Sequence, residues 1–438
     1  MNMRFQRSYL TVGGLVLVIV AFLIYLFTPT GVYEYSSQMI TQIYYADNIS
    51  KAHRILIDQF NKEYENKIEV VPVNLPFSKF STNERKELLT RTLRSKSDRI
   101  DVFAVDLIWV PRFARWSEPL DLYYQPEDLQ KIADYALKSC YFENKLFAVP
   151  LYTDVGVMYY RRDLLYKLPH AADIEKRLKK SVTWDEFIDL STKFAQSTDY
   201  PFYIYAADHF EGLVCSFFEG LANQNALPSL DDTLNFNTAE ARKALQLLVD
   251  LIHKYKITPF VATTYEEFQC YIHSAENNGI FFRGWPGLRQ QSEIVPYLNR
   301  DVIEEAALPH FKGGNPAFVF GGWNLMLSKY STKKPEAIEF IKFLHRKESQ
   351  KIMFQHAGYA PVVKDVYTDS LFIAQEPDLL FYKNLFQNGF HRPYMVDYTK
   401  ISDILSYYLH QAIIKQLSVS EALQLATHQI NSNQVLIK

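Results

Sequence analysis

Two aspartates stand where apolar runs give way to polar sequence. Asp106 directly follows Ile100-Asp101-Val102-Phe103-Ala104-Val105, and Asp154 closes the segment Leu146-Phe147-Ala148-Val149-Pro150-Leu151-Tyr152-Thr153-Asp154. Two carboxylates about 5–10 Å apart can hydrolyse a glycosidic bond by acid/base chemistry, and both residues are candidates for that role, although no hydrolase motif surrounds either. Two tryptophans have unusual neighbours. Trp285 lies in Gly-Trp-Pro, and Trp323 follows Gly321 and Gly322, a pair that permits close backbone approach. Cys140, Cys215 and Cys270 are far apart, with no CxxC pair and no histidine cluster. That spacing supports neither structural zinc nor a redox dithiol. No metal and no cofactor is expected, and the thiols read as small buried hydrophobes with at most one disulfide among them.

The bulk composition narrows the function classes. A chain of 438 residues exceeds one ordinary core and suits two lobes. Its net charge of −2 leaves no basic excess to hold a phosphate backbone, which argues against nucleic acid as a partner. The 30 Tyr, 31 Phe and 5 Trp are first of all core-filling material. At the N-terminus, Arg4 and Arg7 precede an apolar run from about Leu10 to Phe27 that ends before Pro29 and Gly31. A spanning helix needs roughly 20 apolar residues and a signal-peptide core about 7–15. The run is on the long side and lacks both a nearby small-x-small cleavage pattern and a lipid-accepting cysteine. Residues 1–32 are therefore expected to form an uncleaved transmembrane anchor in the lipid bilayer, with the arginines on the cytoplasmic side and the body outside. A cleaved signal peptide is the alternative. No second segment of that kind exists, so a transporter pore is not expected.

Several elements must position the candidate residues. Ile43 to Tyr45 is a short apolar run, followed by Ala52, Leu56, Phe60 and Tyr64 at helical spacing and by the β-branched Ile68-Glu69-Val70-Val71-Pro72-Val73. A charged stretch from Asn83 to Arg94 then leads to the run before Asp106. Strand, helix, strand, helix, strand is the pattern of a parallel α/β sheet covered by helices. In such sheets ligands bind beyond the carboxyl ends of the strands, where Asp106 falls. Pro150 in its strand suits a sheet edge or a passage between lobes. Thr183-Trp184-Asp185-Glu186 and Ser418-Val419-Ser420-Glu421 read as capping boxes, and Pro335 opens a helix whose apolar face continues through Ile338, Ile341 and Leu344.

Taken together, these segments resemble the family 1 extracellular solute-binding proteins, the maltose/trehalose-type receptors of ABC sugar importers. The run from Arg99 to Pro111 is similar to the family's first strand-and-loop signature, and Phe142 to Asp154 to its hinge segment. Met158 to Leu165, Thr183 to Phe187, Phe282-Arg283-Gly284-Trp285-Pro286, Leu308-Pro309, Gly321-Gly322-Trp323 and His391-Arg392-Pro393 follow in family order. The resemblance covers nearly all of residues 40–430. It implies a periplasmic binding protein-like class II fold of two interleaved α/β lobes with a sugar cleft between them. Crossings are expected near 149–154, 306–316 and 356–362. Lobe one would be 39–150 plus 315–357, and lobe two 151–314 plus 358–438.

A sugar presents C–H faces that suit an aromatic plate and hydroxyls that suit bidentate carboxylates and arginine. By resemblance, Trp285 and Trp323 are the plates, with backbone contacts from Gly321 and Gly322. Tyr152 and Asp154 share one face of an extended strand and are expected to point into the cleft. Asp106, which could equally be a helix cap, Trp109, Arg392 and Glu211 complete the candidate ligand-binding set, and no catalytic residue is assigned. The segment Tyr45-Ala46-Asp47-Asn48 departs from relatives that carry a glycine-rich turn and an acidic ligand there. The expected partners are a small-molecule carbohydrate and ABC permease subunits, with the receptor acting as a monomer and not as an enzyme. A sensing module for a membrane signalling partner and a secreted carbohydrate-active enzyme remain as alternatives.

Overall fold

The first two β-branched runs of the N-terminal half fold as parallel strands, each followed by a helix that lays an apolar face over the sheet. The chain runs through Thr41–Asp47 (β1), Lys51–Glu63 (α1), Ile68–Asn74 (β2), Thr82–Arg94 (α2) and Val102–Asp106 (β3). β1 pairs in parallel with β2 along its whole length and with β3 through Tyr45 and Ala46. Helix α1 starts where the Ser50 hydroxyl accepts from the His53 N–H, and it buries Ala52, Leu56, Ile57 and Phe60. The structure, a computed structural model, describes residue 20 and residues 40–76, 79–80, 82–96, 98–195, 202–228, 233–290 and 302–432. The expected membrane anchor over residues 1–32 lies outside the described residues save for Val20. Among the described residues no helix is long and apolar enough to cross a membrane.

The chain continues through Val149–Val155 (β4), Val157–Arg161 (β5), Trp184–Ala195 (α3), Tyr203–Ile204 (β6), Glu211–Ala222 (α4), Glu267–Glu276 (α5), Phe281–Gly284 (β7) and Ile303–Ala306 (β8). It ends with Phe318–Leu327 (β9), Lys334–Leu344 (α6), Lys347–Ala357 (α7), Gly389–Phe390 (β10), Tyr398–Ile413 (α8) and Val419–Asn431 (α9). Two larger sheets result. The first has the order β10-β9-β3-β1-β2, with β4 also paired to β9; the second has the order β8-β5-β7-β6. The long strand β9 runs antiparallel to β3 and to β4, so the first sheet is mixed. Both expected capping boxes form: Thr183 N–H donates to Glu186 at 2.8 Å, and Ser418 N–H donates to Glu421 at 3.0 Å. Pro335 lies in the first turn of α6, which buries Ile338, Ile341 and Leu344.

The first passage between the sheets is sharper than the sequence suggests. β4 pairs with β9 as far as Val155, and β5 of the second sheet begins at Val157. The chain thus changes sheet at Gly156, just beyond the expected 149–154, and residues 151–155 pair within the first sheet rather than the second. Pro150 fits because β9 is the only strand partner of β4 among the described residues, so its missing N–H costs little. Next to Pro150 the β4–β9 register slips between Trp323 and Asn324, a β-bulge that re-aims side chains at this point. Gly322 makes the slip possible: its φ is +117°, and a Cβ there would land on the Tyr152 carbonyl oxygen. The glycine is needed for strand packing, which is a different reason from the ligand contact expected of it. Gly322→Ala should lower stability by about 1–3 kcal/mol in urea denaturation. Gly313→Ala is the control, because Gly313 also has positive φ but nothing lies within 4 Å of its would-be Cβ. Equal losses in the two variants would show that backbone conformation alone, and not the approach to β4, sets the requirement.

Candidate functional site

Strand register brings most of the candidate residues to one patch. Across the first sheet, Asp106 of β3 faces Trp323 of β9, and Trp323 faces Tyr152 of β4. Gly321, two residues back along β9, faces Asp154. Directly opposed residues of antiparallel strands project to the same side, so Asp106, Trp323, Tyr152 and Asp154 share one face. Trp285 arrives from the second sheet at the end of β7. The six-membered part of its indole lies over Gly321, where a Cβ would come within 2.7 Å of it. Residue 321 must lack a side chain for the two sheets to meet in this way.

Trp285 is held from several directions. Its carbonyl accepts from the Tyr159 hydroxyl at 2.7 Å, and its N–H donates to the Tyr271 hydroxyl at 3.3 Å. The indole N–H donates to Glu267 at 3.2 Å, and the Arg283 guanidinium lies 4.8 Å from the ring centroid. Trp323 is more enclosed. It meets Trp109 edge to face at 5.7 Å, and the Arg85 guanidinium lies 4.1 Å from its ring. Trp109 itself also stacks on Phe113 and is 4% exposed, so it packs beneath Trp323. Tyr152 stacks face to face on Tyr359 at 3.9 Å.

The polar members form a buried ion network. Arg392 donates from Nη1 to Glu211 at 2.5 Å and from Nη2 to Asp106 at 3.3 Å, and it is 2% exposed. Asp106 accepts from the Ile108 N–H at 3.0 Å as well, so it is a cap and an ion-pair partner at once. Glu211, at the start of α4, accepts from the hydroxyls of Tyr398 and Ser402 on α8. Removing one partner of a buried pair costs about 3–5 kcal/mol, because the other charge is left uncompensated. The network therefore fixes α4, α8 and the end of β3 together.

Two buried atoms of the set have no partner among the described residues: Oδ1 of Asp154 and Nε of Arg392. One is an acceptor and the other a donor. A buried polar atom without a partner costs about 1–3 kcal/mol, so both are primed for a group that supplies the missing bond. Burial, reinforced by Asp106 nearby, pushes the Asp154 carboxyl well above the usual carboxylate range. Burial also raises Asp106, against the opposing pull of Arg392.

Several residues of this patch are not among the candidates read from the sequence. Asp47, at the carboxyl end of β1, accepts from the Tyr45 hydroxyl at 2.7 Å and pairs with Arg85 at 3.1 Å, while His53 stands 3.4 Å away. The rule that ligands gather at strand ends points to Asp47, and its segment is the one that departs from the family pattern. Arg85 is fully buried although α2 reads as a charged helix. Tyr359, Glu267 and Tyr398 have no local signature. Cys140, Cys215 and Cys270 are buried free thiols. Among the described residues no group of three or more His, Cys, Asp or Glu could hold a metal ion.

The family model for bacterial extracellular solute-binding proteins matches residues 45–351. The chain belongs to that family. Its fold is the α/β periplasmic binding protein-like one of its structural neighbours. The maltose-bound MalE3 of T. maritima superposes with a TM-score of 0.79 and 28% identity, over 90% of this chain and 100% of that one. A solute-binding protein of Thermotoga lettingae bound to α-D-tagatose gives a TM-score of 0.76 at 22% identity, over 90% and 99%. A probable ABC transporter-binding protein of Deinococcus radiodurans is 26% identical over 379 residues, 84% of this chain and 86% of that protein.

The Asp154 carboxyl makes the site testable through pH. Above about pH 4 the unfolded chain has released this proton, whereas the native solute-binding protein still holds it. Native Asp154 thus destabilises the fold increasingly as pH rises, until its own carboxyl ionises. Asp154→Asn should gain stability relative to the parent as the pH rises above about 4 in thermal melts. A difference that stays constant with pH would contradict a raised carboxyl.

Proposed function

We propose that this solute-binding protein captures a carbohydrate between the two sheets and presents it to ABC permease subunits in the membrane. The reading includes tethering by an N-terminal helix, action as a monomer on the extracytoplasmic face, and release of the ligand unbroken. Two lobes divided near the passages at Gly156, 306–316 and 356–362 would close on the sugar.

One observation carries this: the Trp285 ring covers Gly321, whose cross-strand neighbour Asp154 has an oxygen without a partner. A flat apolar plate beside an unspent acceptor suits a molecule with a C–H face and a ring of hydroxyls. Arg392 supplies an unspent donor in the same patch. A charge-assisted hydrogen bond contributes about 1.5–3 kcal/mol and a stacked ring about 0.5–1.5. A charge-assisted bond from Arg392, a hydrogen bond to the neutral Asp154 carboxyl and the Trp285 ring supply gross terms of a few kcal/mol, which is part of the ~8 kcal/mol of a micromolar site, and ordering and desolvation offset some of them. The neighbours bound to maltose and to tagatose make mono- and oligosaccharides the first ligands to try.

Maltose and a panel of monosaccharides, polyols and oligosaccharides should include one that raises the melting temperature and changes tryptophan fluorescence. Trp285→Ala should abolish the fluorescence change while the protein stays folded. Labelled oligosaccharide recovered intact after incubation is expected as well. A panel without any thermal or fluorescence response, or a cleaved oligosaccharide, would overturn the reading.

A further inference from the structure

Behind the Trp285 ring lies a buried ion pair that no ligand-facing role explains. Arg283 of β7 donates from Nε and Nη2 to the two carboxylate oxygens of Glu219 on α4, each at 3.0 Å. The residues are 3% and 7% exposed. Well-packed apolar residues often hold such a space with equal or greater stability, so the pair is better understood through the geometry it imposes.

That geometry is specific. A bidentate fork fixes the plane of the guanidinium, which lies 4.8 Å from the Trp285 centroid. The other end of the pair rests against Gly156, the residue at which the chain changes sheet: a Cβ there would land on Glu219 Oε1 and come within 3.2 Å of Arg283 Nη2. The indole N–H is tied separately to Glu267, and the Arg283 charge opposes the burial that raises the Glu267 carboxyl.

We propose that Arg283, clamped by Glu219, is a positioning residue that sets the angle of the Trp285 plate over Gly321. Its planar fork, and not charge alone, does this, because lysine supplies a cation without a plane. The inference deepens the reading of Trp285 as a ligand plate, and it rests on that reading only for its effect on affinity.

The test uses the protein labelled with fluorotryptophan, which gives five fluorine resonances, one for each tryptophan; Trp285→Phe assigns the Trp285 line. In Arg283→Met and Arg283→Lys the Trp285 line should shift and broaden while the lines of Trp109, Trp116 and Trp184 stay in place. Glu219→Gln keeps the side-chain size but replaces one of the two accepting oxygens with an NH2 that cannot accept, so the fork is broken and the same line should move; the inference thus remains testable if an Arg283 variant does not fold. Maltose affinity by calorimetry should fall about tenfold in Arg283→Lys, the size of one lost cation–π or stacking contact. An unmoved Trp285 line in a folded variant overturns the inference, as does a uniform shift of every line. If the parent protein binds no maltose or other sugar, the carbohydrate reading fails, and the fluorine spectra still decide whether Arg283 positions the ring.

Discussion

Gly321 stands inside β9, with β4 paired along one edge of the strand and the Trp285 indole lying across its face. The place of Trp285 relative to the rest of the site depends on that approach. The ring can reach the strand because no Cβ intervenes, and its distance from Asp154 is set by the cross-strand register of a single residue pair. The approach also joins the two sheets at a point close to Gly156, where the chain itself changes sheet. A side chain at either glycine would have to displace a tryptophan or a buried ion pair. The two positions thus trade conformational entropy for contact between parts of the chain that would otherwise stand apart.

Around this contact the charges are arranged in two tiers. Arg283 and Glu219 form a bidentate pair, and Glu211 is held by Arg392, Tyr398 and Ser402. These groups are already ordered when a ligand arrives, so little rotamer freedom remains to be lost on binding. Asp154 Oδ1 and Arg392 Nε form the second tier, buried and unspent. Desolvation makes them costly in the absence of a partner, and the same cost favours whatever supplies one. Trp323 differs from Trp285 in this respect. It is boxed between Trp109 and the Arg85 guanidinium.

Much of this was legible in the sequence, for identifiable reasons. Strand period and β-branched runs located β1, β2 and β3, and capping chemistry located the starts of α3 and α9. The glycines before Trp323 signalled close backbone approach, and their roles separate only in the fold: Gly321 accommodates a ring and Gly322 the Tyr152 carbonyl oxygen of β4. The Arg392 pairings with Asp106 and Glu211 cross 286 and 181 residues of sequence, and no local pattern encodes contacts of that separation. Arg85 illustrates the opposite limit. It lies in a stretch read only as charged, and tertiary packing buries it against Trp323 and Asp47. The passage at Gly156 lies two residues beyond the stretch 149–154 that the family resemblance implies, because β4 carries its pairing with β9 through Val155.

The most direct measurement is a calorimetric maltose titration of Gly321→Ala beside the parent protein and Gly313→Ala. A methyl group at 321 must push the Trp285 ring away from the strand, whereas one at 313 meets nothing. The account predicts about tenfold or greater weakening for Gly321→Ala and parental affinity for Gly313→Ala. Parental affinity in a folded Gly321→Ala would contradict it.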